Sequence, residues 1–151
     1  MSSGAVVEIA GIPVRLRTED HELRQALLAR YANYLTDTPL GDAFEVTLRQ
    51  VSGRFPGPEK ARISCSQGVW RVRRCDSRAE WSPDAGSGQV WHANGSANSL
   101  EFFLRSLDLF LRILYSVLFA RQAASCSMRP ARSAMARLSF LRELPARARQ
   151  Q

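Results

Sequence analysis

A long apolar segment, residues 100–121, constrains the fold of this chain more than any other feature of its sequence. Its apolar residues nearly encircle a helix: Leu100, Phe102, Phe103, Leu104, Leu107, Leu109, Phe110, Leu111, Ile113, Leu114, Val117, Leu118 and Phe119. Such a helix is either buried between two layers or crosses a membrane. Arg105, Asp108 and Arg112 lie inside the segment, and each would cost about 2.5–3.5 kcal/mol at a bilayer centre. We therefore expect a buried helix and no membrane span, with Asp108 and Arg112 spaced four residues apart to pair.

The region before this helix has the alternation of apolar and polar residues that is typical of half-buried strands. The predicted strands cover residues 5–10, 12–17, 44–49, 61–65, 69–75, 79–81 and 89–91. A first helix is predicted over about 19–35, capped by Thr18, with one apolar face formed by Leu23, Ala26, Leu27, Tyr31, Tyr34 and Leu35. The second helix is predicted over about 98–121. The sequence thus predicts an α+β fold, in which two main helices accompany a mixed or mostly antiparallel sheet.

The composition changes just after Gln122. Residues 123–151 are rich in Ala, Arg and Ser, and with six Arg and one Glu they carry a net charge of +5 out of the chain's +7. We therefore expect one α+β domain over residues 1–122, ending in a buried linking helix, and a poorly ordered basic tail over residues 123–151.

We interpret the tail as a frame-shifted reading; the alternative is an ordinary basic, partly helical tail. If its codons are read one base earlier, permitted codons turn residues 123–131 into G-G-F-L-L-H-A-A-G. In the same frame, the residues from Arg142 onward allow G-x-x-x-x-G-K-T, the loop that cradles nucleotide phosphates. Because Met has a single codon, the junction of Met135 and Ala136 must give Gly in that frame, and the junction of Met128 and Arg129 must give Ala or Glu.

The second helix and the hidden frame together resemble a known family. Residues 98–105, 111–116 and 120–122 resemble the helix that precedes the kinase domain in HPr-serine-kinase-related proteins. In that family a Gly-Gly-apolar-apolar-His-Ala segment, a strand and a phosphate loop follow the helix, and the hidden frame has the same order. The resemblance is close over the helix and loose before it.

The resemblance implies a parent enzyme that uses ATP and Mg²⁺ to phosphorylate a serine of a protein or peptide. The family's catalytic and nucleotide-binding residues have no counterparts in this chain as written, so we assign it no catalytic, cofactor-binding or metal residues. We expect an amino-terminal, non-catalytic portion that is inactive alone and able to self-associate through the apolar helix 100–121. Three cysteines and an amino terminus without a basic start or long apolar run favour reduced thiols and a cytoplasmic location.

Few side chains in the sequence suggest chemistry. His21 and His92 have no cysteine or carboxylate at metal-ligand spacing, so we expect structural or surface roles for them. Gly86 and Gly88 lack the third glycine and the following helix of a dinucleotide loop, and therefore predict a turn. No serine or cysteine has a recognisable base and orienting acid in sequence.

The arginines suggest a second function. Arg71, Arg73, Arg74 and Arg78, with Trp70 and Trp81 interleaved, could form a basic surface for nucleic acid. The alternative, which we favour, is a solvated strand face with the tryptophans turned into the core, and it makes nucleic acid an unlikely partner. A small module that binds a protein or peptide without ATP is a third possibility.

Overall fold

The computed structural model describes residues 4–39, 41–54, 56–95 and 99–125. In chain order this part contains β1 (Gly4–Ile9), β2 (Ile12–Arg17), α1 (His21–Arg30), β3 (Phe44–Val51), β4 (Arg62–Ser66), β5 (Val69–Arg74), β6 (Ser77–Ser82), β7 (Ser87–Ala93) and α2 (Ser99–Ser125). A short 3₁₀ turn, Ala32–Tyr34, follows α1. The predicted α+β class with two main helices is confirmed.

The strands form one mixed sheet with the order β1-β2-β3-β7-β6-β5-β4. Strands β2 and β3 are parallel, as are β3 and β7, whereas the remaining neighbours are antiparallel. Parallel neighbours need a crossover, and α1 supplies it between β2 and β3. The strands β4 to β7 form a meander that returns the chain to β3. The centre of the sheet therefore joins strands that are far apart in sequence.

Tight turns fix the register of the outer hairpins. Ala10 and Gly11 join β1 to β2 with φ angles of 52° and 79°, and Gln67 and Gly68 join β4 to β5 with 53° and 76°. Two central residues with positive φ are the mark of a type I′ turn, whose twist suits a two-residue hairpin. In β7, a Cβ on Gly88 would lie 2.6 Å from the Cβ of its cross-strand neighbour Trp81, so glycine lets these strands approach.

One face of the sheet is buried by both helices. The buried residues of this core include Val7, Val14, Leu16, Val46, Leu48, Val72, Ala79, Trp81 and Val90 from the strands, Leu23 and Leu27 from α1, and Phe103, Leu107, Phe110 and Leu114 from α2. The spacing of the α2 residues places them on one side of the helix. Phe102 lies on the opposite side and is 47% exposed. Within the described residues up to Tyr115, α2 therefore buries one side rather than its whole circumference.

An ion pair joins α1 to α2. Arg30 Nε donates to both carboxylate oxygens of Asp108, at 3.1 and 3.0 Å, and the Tyr31 hydroxyl donates to Asp108 Oδ1 at 2.6 Å. Burial, followed by the hydrogen bond to Asp108, raises the pKa of Tyr31 well above its ordinary value. The sequence suggested only Arg112 as a partner for Asp108. The long-range contact with α1 could not be predicted from the spacing along one helix.

A second polar contact joins α2 to the β1–β2 hairpin. The buried hydroxyl of Tyr115 lies 3.0 Å from the carbonyl oxygens of both Val7 and Ile12. Because a hydroxyl has one hydrogen, it donates to one of these carbonyls at a time. Burial raises the pKa of Tyr115, which keeps the hydroxyl protonated as a donor.

The first helix is shorter than predicted. It ends at Arg30, and Tyr34, which we expected on its apolar face, is 46% exposed. Its amino-terminal cap is Asp20 rather than Thr18, since Asp20 Oδ1 accepts a 3.0 Å hydrogen bond from the Leu23 amide. Thr18 instead accepts a hydrogen bond from the Asp20 amide and shapes the turn before the helix.

The second helix is longer than predicted, because it continues past residue 121 to Ser125. The compact unit that contains the sheet ends at Tyr115, and α2 continues beyond that boundary to Ser125. Neither helix of the described residues has the length and hydropathy needed to cross a membrane. The predicted basic tail from residue 126 onward lies outside the described residues and stays a prediction.

Candidate functional site

The face of the sheet turned away from the helices carries most of the charged side chains of the strands. Because side chains alternate along a strand, the residues between the core positions point to this second face. We call it the open face, and its polar and aromatic residues include Arg15, Arg17, Glu45, Arg49, Arg62, Arg71, Arg73, Arg78, Glu80, Gln89 and Trp91.

Several open-face arginines are paired with carboxylates. Glu45 on β3 binds Arg15 at 2.9 Å and Arg17 at 2.7 Å, both from the neighbouring strand β2. On the same face, towards the other edge of the sheet, Arg71 lies 3.3 Å from Glu80, its cross-strand neighbour. At these positions the charges of the open face compensate each other.

One line of residues across the open face differs from its surroundings. Arg62, Arg73, Arg78, Trp91 and Arg49 are successive cross-strand partners on β4, β5, β6, β7 and β3. We call this line the arginine row. With neighbouring strands about 4.8 Å apart, the row extends over roughly 19 Å. All four arginines are exposed, and Trp91 is half-buried between Arg78 and Arg49.

The arginine row places like charges in directly opposed positions of the sheet. Arg73 stands directly opposite Arg62 on one side and Arg78 on the other. Side chains in such positions have Cβ atoms about 4.5–5.5 Å apart, and like charges there destabilise the sheet. A bound anion would remove this repulsion. The row is therefore suited to an anionic partner.

The sequence identified only part of this surface. Trp81 is 4% exposed on the core side, and Trp70, its cross-strand partner, is half-buried on the same side, so the prediction that these tryptophans turn inward is confirmed. Arg74 lies in the phase of the core side and not in the row. Trp91, Arg49 and Arg62 were missed, because only the strand order brings them beside Arg73 and Arg78.

A serine–histidine pair lies in the core. The Ser77 hydroxyl is 2.6 Å from His92 Nδ1, and the His92 ring stacks on Phe103 with a centroid distance of 5.0 Å. Ser77 is 1% exposed and His92 2% exposed, so neither can reach a substrate in this structure. The pair is a structural contact between β6 and β7, as expected for His92, and not a nucleophile and base.

The remaining candidates from the sequence do not assemble a site. His21 is exposed at the start of α1, and within the described ranges no group of three metal-ligating side chains occurs. Gly86 occupies a turn with a φ of +68° that leads directly into β7, as predicted. Cys65 and Cys75 are exposed free thiols.

A cleft between α2 and strands β3, β6 and β7 is too small and too apolar for a typical ligand site. Its cavity volume is about 10 Å³, roughly the room that one water molecule needs, and Val46, Trp81, Leu107 and Leu114 are among its lining residues. Ligand sites of small molecules usually measure about 300–1,000 Å³ and carry several converging polar groups. The cleft is therefore a packing defect of the core.

No protein-family model, curated protein or solved structure matches this chain. The candidate site is thus assigned from its geometry alone.

The arginine row predicts an unusual stability effect. We expect Arg73→Gln to raise the free energy of unfolding by about 0.2–1 kcal/mol, because it removes a charge that faces two other arginines. Arg71→Gln, two residues earlier on the same strand and face, is the matched control. It should lower stability or leave it unchanged, because Arg71 faces Glu80. Urea unfolding at low ionic strength measures both, and a loss of stability in Arg73→Gln as large as in Arg71→Gln would contradict the prediction.

The buried histidine predicts a pH dependence. Burial lowers the pKa of His92, against the opposing influence of Asp76 and the Ser99 backbone. The unfolded chain therefore takes up this proton first as the pH falls below about 6.5. From there to the lower pKa of the folded state, the free energy of unfolding should fall by at most about 1.4 kcal/mol per pH unit.

Urea unfolding between pH 5 and 7.5 checks this dependence, with His92→Phe as the comparison. Phenylalanine keeps a ring against Phe103 but cannot titrate. We expect the variant to be less stable at every pH, because the Ser77 hydroxyl loses its partner. The quantity to compare is therefore the slope of the free energy of unfolding against pH. Equal slopes for both proteins would show that His92 does not cause the dependence.

Proposed function

We propose that this chain is the amino-terminal, non-catalytic portion of an HPr-kinase-like, ATP-dependent serine kinase. The observation that carries the proposal is the course of α2, whose sequence resembles the linking helix of that family. It leaves the compact unit that ends at Tyr115 and continues as one helix to Ser125. A helix that extends beyond the domain in which it begins can connect that domain to another.

The second apolar side of α2 supports the same proposal. Phe102 is exposed on the side that faces away from the sheet, and Leu109 and Ile113 on that side are only half-buried. In the proposed parent kinase this side packs on the following catalytic domain. In the chain as written it provides a surface for self-association, because exposed apolar patches favour contacts between proteins.

The described residues do not fit ATP or Mg²⁺. The glycine-containing turn at Gly86 and Gly88 leads into a strand, whereas a phosphate-binding loop presents its amides at the start of a helix. Within the described ranges no carboxylate cluster could hold a metal ion. The nucleotide site belongs, in this proposal, to the reading frame that contains G-x-x-x-x-G-K-T. We derive no phosphoryl-transfer step from the present chain.

A serine-bearing protein or peptide substrate and a cytoplasmic location accompany the proposal. The substrate class follows from the resemblance of α2 alone. The location is supported by the free thiols of Cys65 and Cys75, which are exposed and form no disulfide among the described residues.

The test compares this chain with a protein expressed after one-base restoration of the alternative frame. The gene's DNA, sequenced through codon 151 and several hundred bases beyond, should keep that frame open past the Lys-Thr pair of the loop. The restored protein should bind Mg²⁺–ATP in calorimetry and lose binding when the loop lysine is changed to alanine. The present chain should neither bind nor hydrolyse ATP.

Two results would contradict the proposal. The first is an alternative frame that closes within a few codons, because the resemblance after α2 would then be accidental. The second is ATP hydrolysis that copurifies with the present chain, because it would require a nucleotide site in these residues.

A further inference from the structure

We propose that the arginine row binds single-stranded nucleic acid, with phosphates on Arg49, Arg62 and Arg73 and a base stacked on Trp91. The inference comes from the open face of the sheet and does not depend on the kinase proposal. It also departs from the sequence expectation that nucleic acid is an unlikely partner, because that expectation considered the inward-facing Trp70 and Trp81.

The charge of the row selects an anionic occupant. Arg62 and Arg73 are directly opposed cross-strand partners, and Glu45 and Glu80, the paired carboxylates of this face, belong to neighbouring lines of residues. Glu45 binds Arg15 and Arg17, and Glu80 binds Arg71. A partner with regularly spaced negative charges would offset the repulsion around Arg73.

The aromatic residue distinguishes nucleic acid from an acidic peptide. Trp91 is the cross-strand neighbour of both Arg78 and Arg49, so a flat apolar ring interrupts a line of guanidinium groups. An acidic peptide would use the charges but has no general need for the ring. A single strand uses both, because its phosphates bind arginine and every base has a face that stacks on an aromatic ring.

The shape of the surface favours unpaired rather than duplex nucleic acid. Bases in a duplex are read by helices or ribbons that enter a groove. The arginine row instead crosses the open face of five adjacent strands, over roughly 19 Å of sheet. Sheet surfaces that bear aromatic residues are a known platform for unpaired bases.

Neither residues 126–151 nor a second copy of this chain is a suitable ligand for the arginine row. Residues 126–151, which lie outside the described ranges, contain six Arg and one Glu and would add positive charge instead of neutralising it. A second copy would oppose one arginine row to another if the two open faces met. Residues 126–151 and a second copy would both increase the repulsion within the arginine row, whereas the proposed nucleic acid would reduce it.

The test uses the full chain and a fluorescein-labelled 12-nucleotide single strand of mixed sequence, with binding followed by anisotropy. Variants are Arg73→Gln, Arg62→Gln and Trp91→Ala. The control is Arg105→Gln, which removes the same charge from an exposed residue of α2, on the other side of the sheet. Since basic residues 126–151 are present in every protein, their contribution cancels in the comparison. Circular dichroism confirms that each variant is folded.

We expect Trp91→Ala to weaken binding by about 5- to 150-fold, the range found when a stacked aromatic is removed. Trp91→Phe should recover much of this loss, because it keeps a ring. Arg73→Gln and Arg62→Gln should each weaken binding and reduce the slope of log K against log salt by about 0.7. Arg105→Gln should change affinity less than the two row variants. Tryptophan fluorescence should be quenched on binding, and Trp91→Phe should remove most of the quenching.

Three outcomes would overturn the proposal. Equal effects of Arg105→Gln and Arg73→Gln would indicate attraction by net charge alone. Unchanged affinity in Trp91→Ala, together with equally tight binding of a polyglutamate peptide, would identify an acidic protein or peptide as the partner. Tighter binding of the corresponding duplex would exclude a single-strand platform. None of these outcomes bears on the ATP test, so the two proposals can fail separately.

Discussion

The burial of one sheet face beneath two helices is the constraint on which the rest of this structure depends. Because side chains alternate along every strand, placing Val46, Trp81 and Val90 against α2 sends their neighbours to the other face. A shift of one residue in register would exchange the two faces of a strand. The apolar core therefore fixes the face of the sheet on which the arginines lie.

Charged residues have different environments on the two faces of the sheet. On the covered face, Asp108 joins α1 to α2 through Arg30 and Tyr31, so the charge is matched where it is partly buried. On the open face the arginine row places like charges side by side, at a cost to stability. Conformational stability does not explain such a line, whereas the proposed recognition of an anionic partner would. The proposed kinase parentage concerns another part of the domain, the helix that leaves it.

The sequence predicted what depends on short-range patterns and missed what depends on topology. The strands, the α+β class and the inward position of Trp81 follow from alternation, and the apolar segment predicted α2 well except at its end. The arginine row could not be predicted, because β3 and β7 are neighbours only through a long meander. The spacing of residues along α2 likewise could not predict that Asp108 pairs with Arg30 of α1. The end of α1 was misjudged because Tyr34 continues its apolar period but lies in a separate 3₁₀ turn.

Quenching of tryptophan emission by iodide tests most directly whether the sheet has one open, cationic face. Iodide is attracted to arginine, so its excess over caesium in quenching Trp91 should be larger than the excess measured for free tryptophan at the same ionic strength. Trp81 is buried, and Trp70, which is half-buried on the covered face, contributes equally to the protein and to the Trp91→Phe variant. In Trp91→Phe, the excess should fall to about the value for free tryptophan. If the excess is the same in the protein and in the variant, Trp91 does not lie among exposed arginines, and the two-faced account of this sheet is wrong.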